Sequence, residues 1–295
     1  MNESGHGDVF ERNRGRLLAL AYRLLGTVAD AEDAVQDAAV GWSRTDPTHI
    51  DNPDAFLVTA TTHAALNRLR SRRNNKESYP GVWLPEPVAT DPLPEAEAEL
   101  ADSLSLAMLV VLETLSPLER AVFVLHDVFG YRHDEIAQIL NRTPPAIRQV
   151  AARARRHVQA RRSRYDRDVG RRRAATEAFL DACRSGQVDD LLHILADDAT
   201  LVSDGGGKAS AAARPLHGRP AVATFVSRIV AHAPDAKARV TWLNGEPGFV
   251  VTDGDEVVLA AVLEIDGGRI KELRFVRNPD KLGHVLRSPW GVAAT

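Results

Sequence analysis

The fold is decided by the stretch LSPLERAVFVLHDVFGYRHDEIAQILNRTPPAIRQVAARARRHV, residues 115–158. It predicts a helix over His133–Leu140, a turn at Asn141–Thr143 in which Thr143 can cap, and a second helix from Pro144. In the second helix apolar residues recur at helical spacing and form one stripe: Ile147, Val150, Ala151, Ala154 and Val158. Polar side chains occupy the remaining surface: Arg148, Gln149, Arg153, Arg155 and Arg156. The pattern is typical of a helix-turn-helix that contacts base edges and phosphates.

The charge of the chain is segregated along its length. Of its 295 residues, positions 1–140 carry 12 Lys and Arg against 22 Asp and Glu, a net charge of −10. Residues 141–173 carry 12 Arg against 2 Asp, a net charge of +10, and residues 174–295 carry 13 against 16. A strongly basic segment within an acidic chain indicates a polyanion site. The alternatives are a solvated helix face or a basic linker, or an ordinary helical hairpin in place of the helix-turn-helix.

Composition excludes several classes of protein. The longest apolar runs, 106–112 and 257–263, are shorter than the roughly 20 residues of a membrane span. Charged residues fill the N-terminal region in which a secretory signal has its apolar segment. A single cysteine, Cys183, excludes a disulfide framework and a cysteine-based zinc cluster, and the ten histidines show no metal-ligand spacing. We therefore expect a cytoplasmic protein without a metal or other cofactor.

The chain is predicted to contain two helical regions joined by a proline-rich linker. Residues 8–76 are expected to be helical, with a second helix that starts near Asp30 and a third over about Asp54–Arg73. Five prolines break the pattern over 80–102, and the apolar pair Trp83–Leu84 within it indicates that part of this linker docks onto another surface. Helices resume from Ser103 to about Arg164, with Ser116 as a capping residue.

After Gly170 the pattern changes to that of an α+β domain. One or two helices, about Ala174–Arg184 and Val188–Leu195, precede the strands, and Asp266-Gly267-Gly268 predicts a hairpin between the last two. The expected strands are Ala199–Val202, Ala238–Leu243, Phe249–Thr252, Val257–Ile265 and Arg269–Val276. The fold class is therefore multidomain, with two all-α regions followed by an α+β domain, and the predicted divisions are 1–79, 80–102, 103–165 and 174–295.

Five motifs in the same order resemble one family. Residues 17–38, LLALAYRLLGTVADAEDAVQDA, are similar to the polymerase-binding part of domain two of extracytoplasmic-function (ECF) sigma factors, and residues 115–158 are similar to their domain four. The linker motif Tyr79–Pro87 (YPGVWLPEP) resembles that of the SigJ-type subgroup, which carries a fused SnoaL-like domain. The motifs DGGGK at 204–208 and NPDKL at 278–282 resemble the C-terminal signatures of the same subgroup. The resemblance covers almost the whole chain.

The resemblance implies a role for each motif. The acidic helix would bind the clamp coiled coil of the largest subunit of core RNA polymerase. The residues involved would be Asp30, Glu32, Asp33, Gln36 and Asp37. The resemblance also implies that the factor makes a second contact, with the polymerase flap. The minus-ten promoter element would be read and opened by His63, Asn67, Arg68, Arg70, Arg72, Arg73 and Asn74. The minus-thirty-five element would be bound by Thr143, Arg148, Gln149, Arg153 and Arg156. His63 and Asn67 stand where the family usually has Arg and Asp, which removes a phosphate contact at His63.

The C-terminal domain resembles the SnoaL-like branch of the NTF2-like fold, a curled sheet that encloses a cone. The resemblance implies a built-in regulator that requires no separate anti-sigma factor and has room for a small-molecule ligand. Its contacts with the linker would involve Trp83, Leu84, Pro85, Asp204, Lys208, Asn278, Pro279, Asp280 and Lys281. The polar or aromatic candidates for a site in the cone are Asp204, His217, Trp242 and Glu264. Acid–base catalysis there would need a buried carboxylate over a substrate, and no catalytic pair is evident, so we predict no enzyme.

Two other functions remain open from the residues themselves. The first is a ligand-responsive regulator that binds palindromic DNA as a dimer without polymerase, which leaves residues 8–80 without a role. The second is a SnoaL-like enzyme that carries DNA-binding domains, which predicts turnover by residues 174–295.

Overall fold

The computed structural model describes residues 3–46, 50–75, 79–92, 103–161 and 168–287. These residues form two compact units. Unit one contains residues 3–46, 50–75 and 107–161, whereas unit two contains residues 79–92, 103–106 and 168–287. Among the described helices, none has both the length and the apolar character of a membrane span.

The helices of unit one follow the predicted pattern. The first three are α1 (Glu3–Leu25), α2 (Val28–Ser43) and α3 (Pro53–Asn75). Helix α4 (Leu106–Glu113), whose first residue belongs to unit two, is followed by α5 (Pro117–Phe123), a π-helical turn (Val124–Val128), α6 (His133–Ile139) and α7 (Pro144–Arg161). The expectation of two helical regions is confirmed.

The first three helices pack through the apolar stripes that the sequence shows. Residues of α1 and α2 that recur at helical spacing are buried: Leu17, Leu18, Ala21, Leu24, Leu25, Ala31, Ala34, Val35, Ala38 and Trp42. Gly26, with φ of +76°, permits the sharp turn between the two helices, and α2 then begins two residues before Asp30. The acidic side chains of α2 are thereby left on the opposite face from the core.

The helix-turn-helix forms as predicted. Ser116 and Glu119 make a reciprocal capping box at the start of α5. Asn141 adopts a φ of +50° in the turn after α6, and the Ile147 amide donates to the Thr143 carbonyl at 3.1 Å, which is the first bond of α7. Four of the five residues of the predicted apolar stripe of α7 are buried, and Val150 is half-buried: Ile147, Ala151, Ala154 and Val158 form the buried set.

Unit two is built on a six-stranded sheet. Its strands are β1 (Leu195–Asp204), β2 (Leu216–His217), β3 (Lys237–Leu243), β4 (Glu246–Asp253), β5 (Glu256–Asp266) and β6 (Arg269–Val276). Their order is β2-β1-β6-β5-β4-β3, with β1 parallel to β6 and every other pair antiparallel. The last two strands are joined by the hairpin that the sequence predicts.

Three helices complete unit two: α8 (Val169–Ser185), α9 (Val188–Ile194) and α10 (Arg219–Ala231). The core of the unit includes a cluster of three rings, in which Phe179 of α8 lies 5.6 Å from Phe249 and 6.5 Å from Phe275 between ring centres. Helix α10 and the short strand β2 are absent from the prediction. The signal for α10 was present, since Pro220 opens the helix and Val222, Ala223 and Val226 form its buried face.

Candidate functional site

The recognition helix α7 presents its basic side chains to solvent. Thr143, Arg148, Gln149, Arg153 and Arg156 are all exposed, as the amphipathic pattern predicts. Arg153 also makes an ion pair with Glu119, whose Oε1 lies 2.5 Å from Arg153 Nε. Burial alone would raise the pKa of Glu119, but hydrogen bonds from Ser116 and the ion pair with Arg153 outweigh it and leave the pKa below its ordinary value.

The acidic face of α2 contacts the basic face of α3. Glu32, Asp33, Gln36 and Asp37 are exposed, whereas Asp30 is half-buried. Arg68 of α3 lies 2.8 Å from Asp37 and 3.3 Å from Asp33, between guanidinium nitrogens and carboxylate oxygens. The structure therefore pairs a side chain predicted to bind DNA with two side chains predicted to bind polymerase.

The remaining predicted minus-ten residues are in part described. The side chains of Arg72, Arg73 and Asn74 lie outside the described residues. Asn67 accepts a hydrogen bond from Arg70 at 3.1 Å. His63 Nε2 lies 2.7 Å from the carbonyl oxygen of Ile139, the last residue of α6.

Further contacts within unit one join α1 to the segment before the helix-turn-helix. Arg16 donates to the Tyr131 hydroxyl at 2.9 Å and also lies over the Tyr131 ring. Arg23, which is buried, lies over the ring of Phe129. Burial lowers the pKa of the Arg23 guanidinium to about 10. The two predicted DNA-binding regions are thus held in one compact unit.

Asp204 is the centre of a linker-binding site in unit two. Its carboxylate is completely buried at the end of β1. Oδ1 accepts from the Tyr79 hydroxyl at 2.6 Å and from the Gly206 amide at 3.0 Å. Oδ2 accepts from the Leu84 amide at 2.9 Å. The Asp204 carboxylate therefore accepts two hydrogen bonds from the linker motif. Burial, together with the hydrogen bond to Asp204, raises the pKa of the Tyr79 hydroxyl.

Lys281 supplies the positive charge of the same site. Its Nζ lies 2.7 Å from Asp204 Oδ2, and it donates to the Leu84 carbonyl at 2.6 Å. The ammonium also lies 4.2 Å from the centre of the Trp83 ring and 5.2 Å from that of Tyr79, which are cation–π distances. The linker pair Trp83–Leu84 is thus bound through its main chain and its aromatic ring, which explains why apolar residues occur in this linker.

Two glycines of the DGGGK motif allow close approach, Gly207 to the linker and Gly206 to Asn278. A Cβ atom on Gly207 would lie 2.7 Å from Pro80 Cγ, and one on Gly206 would lie 2.3 Å from the Asn278 amide. Both residues have positive φ, at +71° and +60°. We name the surface formed by Asp204, Gly206, Gly207, Asn278 and Lys281 the linker cradle.

Further contacts of the DGGGK and NPDKL motifs stabilise the linker cradle. Asn278 donates to the Tyr79 hydroxyl at 3.1 Å and accepts from the Asp280 amide. Lys208 and Asp280 form an exposed ion pair of 2.6 Å, and Pro279 opens the short 3-10 helix that carries Lys281. Pro85 of the linker is buried.

The four polar or aromatic candidates of unit two have separate surroundings. Asp204 serves the linker cradle, His217 is exposed on β2, and the Trp242 carbonyl accepts from the Thr90 amide. Leu263, the residue before Glu264 in β5, belongs to the apolar core. Because consecutive side chains of a strand point to opposite faces, the Glu264 side chain lies on the face of β5 away from that core. The structure does not bring the four together as a catalytic set.

Glu264 belongs to a buried ionic cluster that sequence reasoning missed. It pairs with Arg274 at 2.9 Å and lies 3.4 Å from Arg172, which also pairs with Glu246. Burial and the neighbouring Glu246 carboxylate raise the pKa of Glu264 to about 7, against the opposing effect of the two arginines. Arginine and glutamate far apart in sequence give no local signal of such a cluster. Among the described residues, no group of three or more His, Cys, Asp or Glu is placed to hold a metal ion.

The comparisons with known proteins match three regions of the chain. Residues 9–75 match the Sigma-70 region 2 family, residues 105–158 match Sigma-70, region 4, and residues 176–277 match the SnoaL-like domain family. The chain is 37% identical to the ECF RNA polymerase sigma factor SigJ of Mycobacterium tuberculosis, over 92% of this chain and 91% of that one. It is 31% identical to a chain of the same species described as "Probable ECF RNA polymerase sigma factor SigI", over 74% and 84% of the two chains.

A solved structure agrees with the sequence comparison. The crystal structure of Mycobacterium tuberculosis SigJ superposes with a TM-score of 0.73 at 33% identity, covering 94% of this chain and 98% of that one. The match therefore extends over both helical regions, the linker and the α+β domain.

Proposed function

Because the chain belongs to the ECF RNA polymerase sigma factors, we propose that α2, α3 and α7 divide the binding of polymerase and promoter between them. The role of the chain is promoter recognition for RNA polymerase. The finer assignment follows the charges. The exposed acids of α2 bind the clamp coiled coil of the polymerase, since an acidic face is unsuited to DNA. The chain makes a second contact with the flap of the polymerase, which the resemblance to the family implies.

The two DNA contacts are assigned to the basic helices. Helix α7 enters the major groove of the minus-thirty-five element, which is supported by its exposed Arg148, Gln149 and Arg153 opposite a buried apolar stripe. The C-terminal half of α3, from His63 onward, binds the minus-ten element. A helix that carries arginines beside an amide side chain suits both phosphates and unpaired bases.

Unit two acts as a regulator in cis that restrains promoter recognition by holding the linker. The observation that carries this proposal is the buried Asp204–Lys281 pair, which binds the main chain of Leu84 on both its amide and its carbonyl. A buried pair of this kind is expensive to break, because removing either partner leaves an uncompensated charge. The linker that joins the two DNA-binding regions is therefore held by specific bonds, and a separate anti-sigma factor is not required.

The absence of catalysis, a candidate ligand and the site of action also belong to the proposed role. The protein itself is not an enzyme, which is supported by the separate surroundings of Asp204, His217, Trp242 and Glu264. A small-molecule ligand in the cone remains a candidate regulator, although Phe179, Phe249 and Phe275 occupy part of the core with their rings. The site of action is the cytoplasm, where the polymerase works.

Reconstituted transcription tests the proposal. Core bacterial polymerase is supplied with the full chain and a pool of promoter fragments, and transcripts are sequenced. The proposal expects promoter-specific transcripts that depend on the added chain. Absence of transcripts together with absence of core binding would contradict it, and tight binding to palindromic DNA without polymerase would then favour the unaided regulator.

A further inference from the structure

Asn244 occupies the turn between β3 and β4, far along the chain from either motif of the linker cradle. Its φ is +54° and that of the following Gly245 is +78°, the backbone of a tight hairpin turn. Such a turn requires only a residue that tolerates positive φ, and most turns of this type expose their side chains to water. Asn244 is instead completely buried.

The Asn244 side chain and main chain bind two separate points of the linker. The Val88 amide donates to Asn244 Oδ1 at 3.0 Å, and the Asn244 amide donates to the Val88 carbonyl at 2.9 Å. Asn244 Nδ2 donates to the Leu104 carbonyl at 3.1 Å. Val88 and Leu104 lie on opposite sides of residues 93–102, which are outside the described ranges. The side-chain amide of Asn244 therefore binds both the described part of the linker before residues 93–102 and the described part after them.

The neighbours of Asn244 in the hairpin extend the contact. The Gly245 amide donates to Thr90 Oγ1 at 2.9 Å, and the Thr90 amide donates to the Trp242 carbonyl at 3.2 Å. Glu246 Oε1 accepts from the Leu106 amide at 3.1 Å. We name Asn244, Gly245 and Glu246 the hairpin clip.

Ion pairs within unit two hold the Glu246 side chain of the clip in position. Glu246 is buried and its second carboxylate oxygen pairs with Arg172 of α8. Arg172 lies in turn beside Glu264, which Arg274 also binds. A buried carboxylate fixed on one oxygen by a half-buried arginine presents the other oxygen in a defined direction, which suits it to hold a main-chain amide.

We propose that the hairpin clip is a second linker-binding site that restrains promoter recognition together with the linker cradle, with Asn244 as its positioning residue. This inference rests on the proposed regulation in cis. The cradle binds the linker through Tyr79, Trp83 and Leu84, whereas the clip binds it at Val88, Thr90, Leu104 and Leu106. Two sites on one tether act together, because a segment released from one is kept at high local concentration by the other. Release of the linker therefore requires both sites to open.

The test compares full-length variants of the turn. Asn244→Gly keeps the backbone of the turn, since glycine adopts positive φ freely, and removes both side-chain bonds to the linker. The matched control is Asp255→Gly, an exposed turn residue at the other end of β4. Amide hydrogen exchange at Val88, thermal unfolding and reconstituted transcription are measured on each variant and on the parent chain.

The inference expects a specific combination of results. Exchange at Val88 rises roughly tenfold in Asn244→Gly, as expected for the loss of a buried hydrogen bond. Transcription rises by up to the same factor, while the unfolding temperature falls by only a few degrees relative to Asp255→Gly, as expected for the loss of two buried hydrogen bonds. The control changes neither exchange nor transcription. If Asn244→Gly fails to fold, Asn244→Asp replaces it, because it keeps the shape and the bond to Val88 but opposes an oxygen to the Leu104 carbonyl; transcription should then rise as well.

Three outcomes would overturn the inference. Unchanged exchange at Val88 in a folded Asn244→Gly chain means that the clip does not hold the linker. Faster exchange with unchanged transcription, while Trp83→Ala in the cradle raises transcription, removes the clip from regulation and leaves the proposed function intact. Unchanged transcription in both Asn244→Gly and Trp83→Ala, with well-folded chains, means that the proposed regulation itself fails.

Discussion

His63 Nε2 lies 2.7 Å from the main-chain oxygen of Ile139, so a residue predicted to contact the minus-ten element is bonded to the first helix of the helix-turn-helix. Since a carbonyl oxygen only accepts, His63 Nε2 carries the hydrogen of this bond. The two promoter elements are separate segments of DNA, and a side chain that donates to Ile139 is not available to a phosphate. If His63 Nε2 binds the minus-ten element, as proposed, this contact within unit one must first open.

Replacement of His63 by arginine restores the side chain that the family usually has at this position. We expect His63→Arg to raise affinity for the minus-ten element at low salt, because a permanent charge gains a phosphate contact. The measurement is promoter affinity of the polymerase complex as a function of salt, with the logarithmic slope steeper by about 0.9. An identical slope in both chains would show that position 63 does not face a phosphate; Thr59→Arg, one turn earlier on α3, controls for added charge.

Neutralising the acidic face of α2 should weaken binding to core polymerase while leaving the free energy of unfolding nearly unchanged. In the Asp33→Asn, Asp37→Asn double variant, the exposed ion pairs with Arg68 are lost, and such pairs contribute less than about 1 kcal/mol to the free energy of unfolding. Affinity for core polymerase should nevertheless fall about tenfold or more, as expected when interfacial charges are removed. Titration with core polymerase and urea unfolding measure the two quantities. Core affinity equal to that of the parent chain would count against this face as the polymerase site.

Arg148 and Arg153 of α7 should differ in effect. Arg148→Ala is expected to cost about 1–3 kcal/mol of promoter binding and to relax base preference at one position of the minus-thirty-five element. Arg153 is already paired with Glu119, so Arg153→Ala should also weaken the contact between α7 and α5. Binding to a library of minus-thirty-five sequences measures both variants. A uniform loss across the library for Arg148→Ala would identify a phosphate contact instead of base readout.

Glu264 should make the stability of unit two depend on pH. Its pKa is about 7 in the folded chain and about 4.5 when unfolded, so the folded state holds the proton more tightly. The free energy of unfolding should therefore fall as pH rises from about 5 to about 7, by at most roughly 3 kcal/mol from this group. Thermal or urea unfolding across this range measures the slope. Glu264→Gln should flatten it, and an equal slope in the variant would assign the pH dependence to other groups.

Much of the fold follows from local sequence patterns. The apolar stripes of α1, α2 and α7 and the Ser116 cap predict helices directly, and Asp266-Gly267-Gly268 predicts the last hairpin. Trp83 and Leu84 correctly indicated a docking linker, because apolar side chains of this size are stabilised when they pack against another surface. Helix α10 was missed although Pro220 marks its start.

The partners of the site residues were less accessible to sequence reasoning. The cradle required Asp204 and Lys281 to meet through the sheet, and the clip required the Asn244 amide to be buried against Val88 and Leu104. Sequence shows an Asn-Gly turn at this position but not what covers it. Contacts between residues 77 to 156 positions apart, such as these, depend on topology, which local periodicity does not encode.

The most direct test of the central claim, that the linker cradle restrains this sigma factor, is reconstituted transcription with Trp83→Ala. The control is Trp83→Phe, which keeps an aromatic ring for the Lys281 ammonium. Both full-length proteins are checked for folding and supplied to core polymerase on the same promoter. We expect more transcript from Trp83→Ala than from the parent chain, and parent-like levels from Trp83→Phe. Equal transcript from all three folded chains would contradict it.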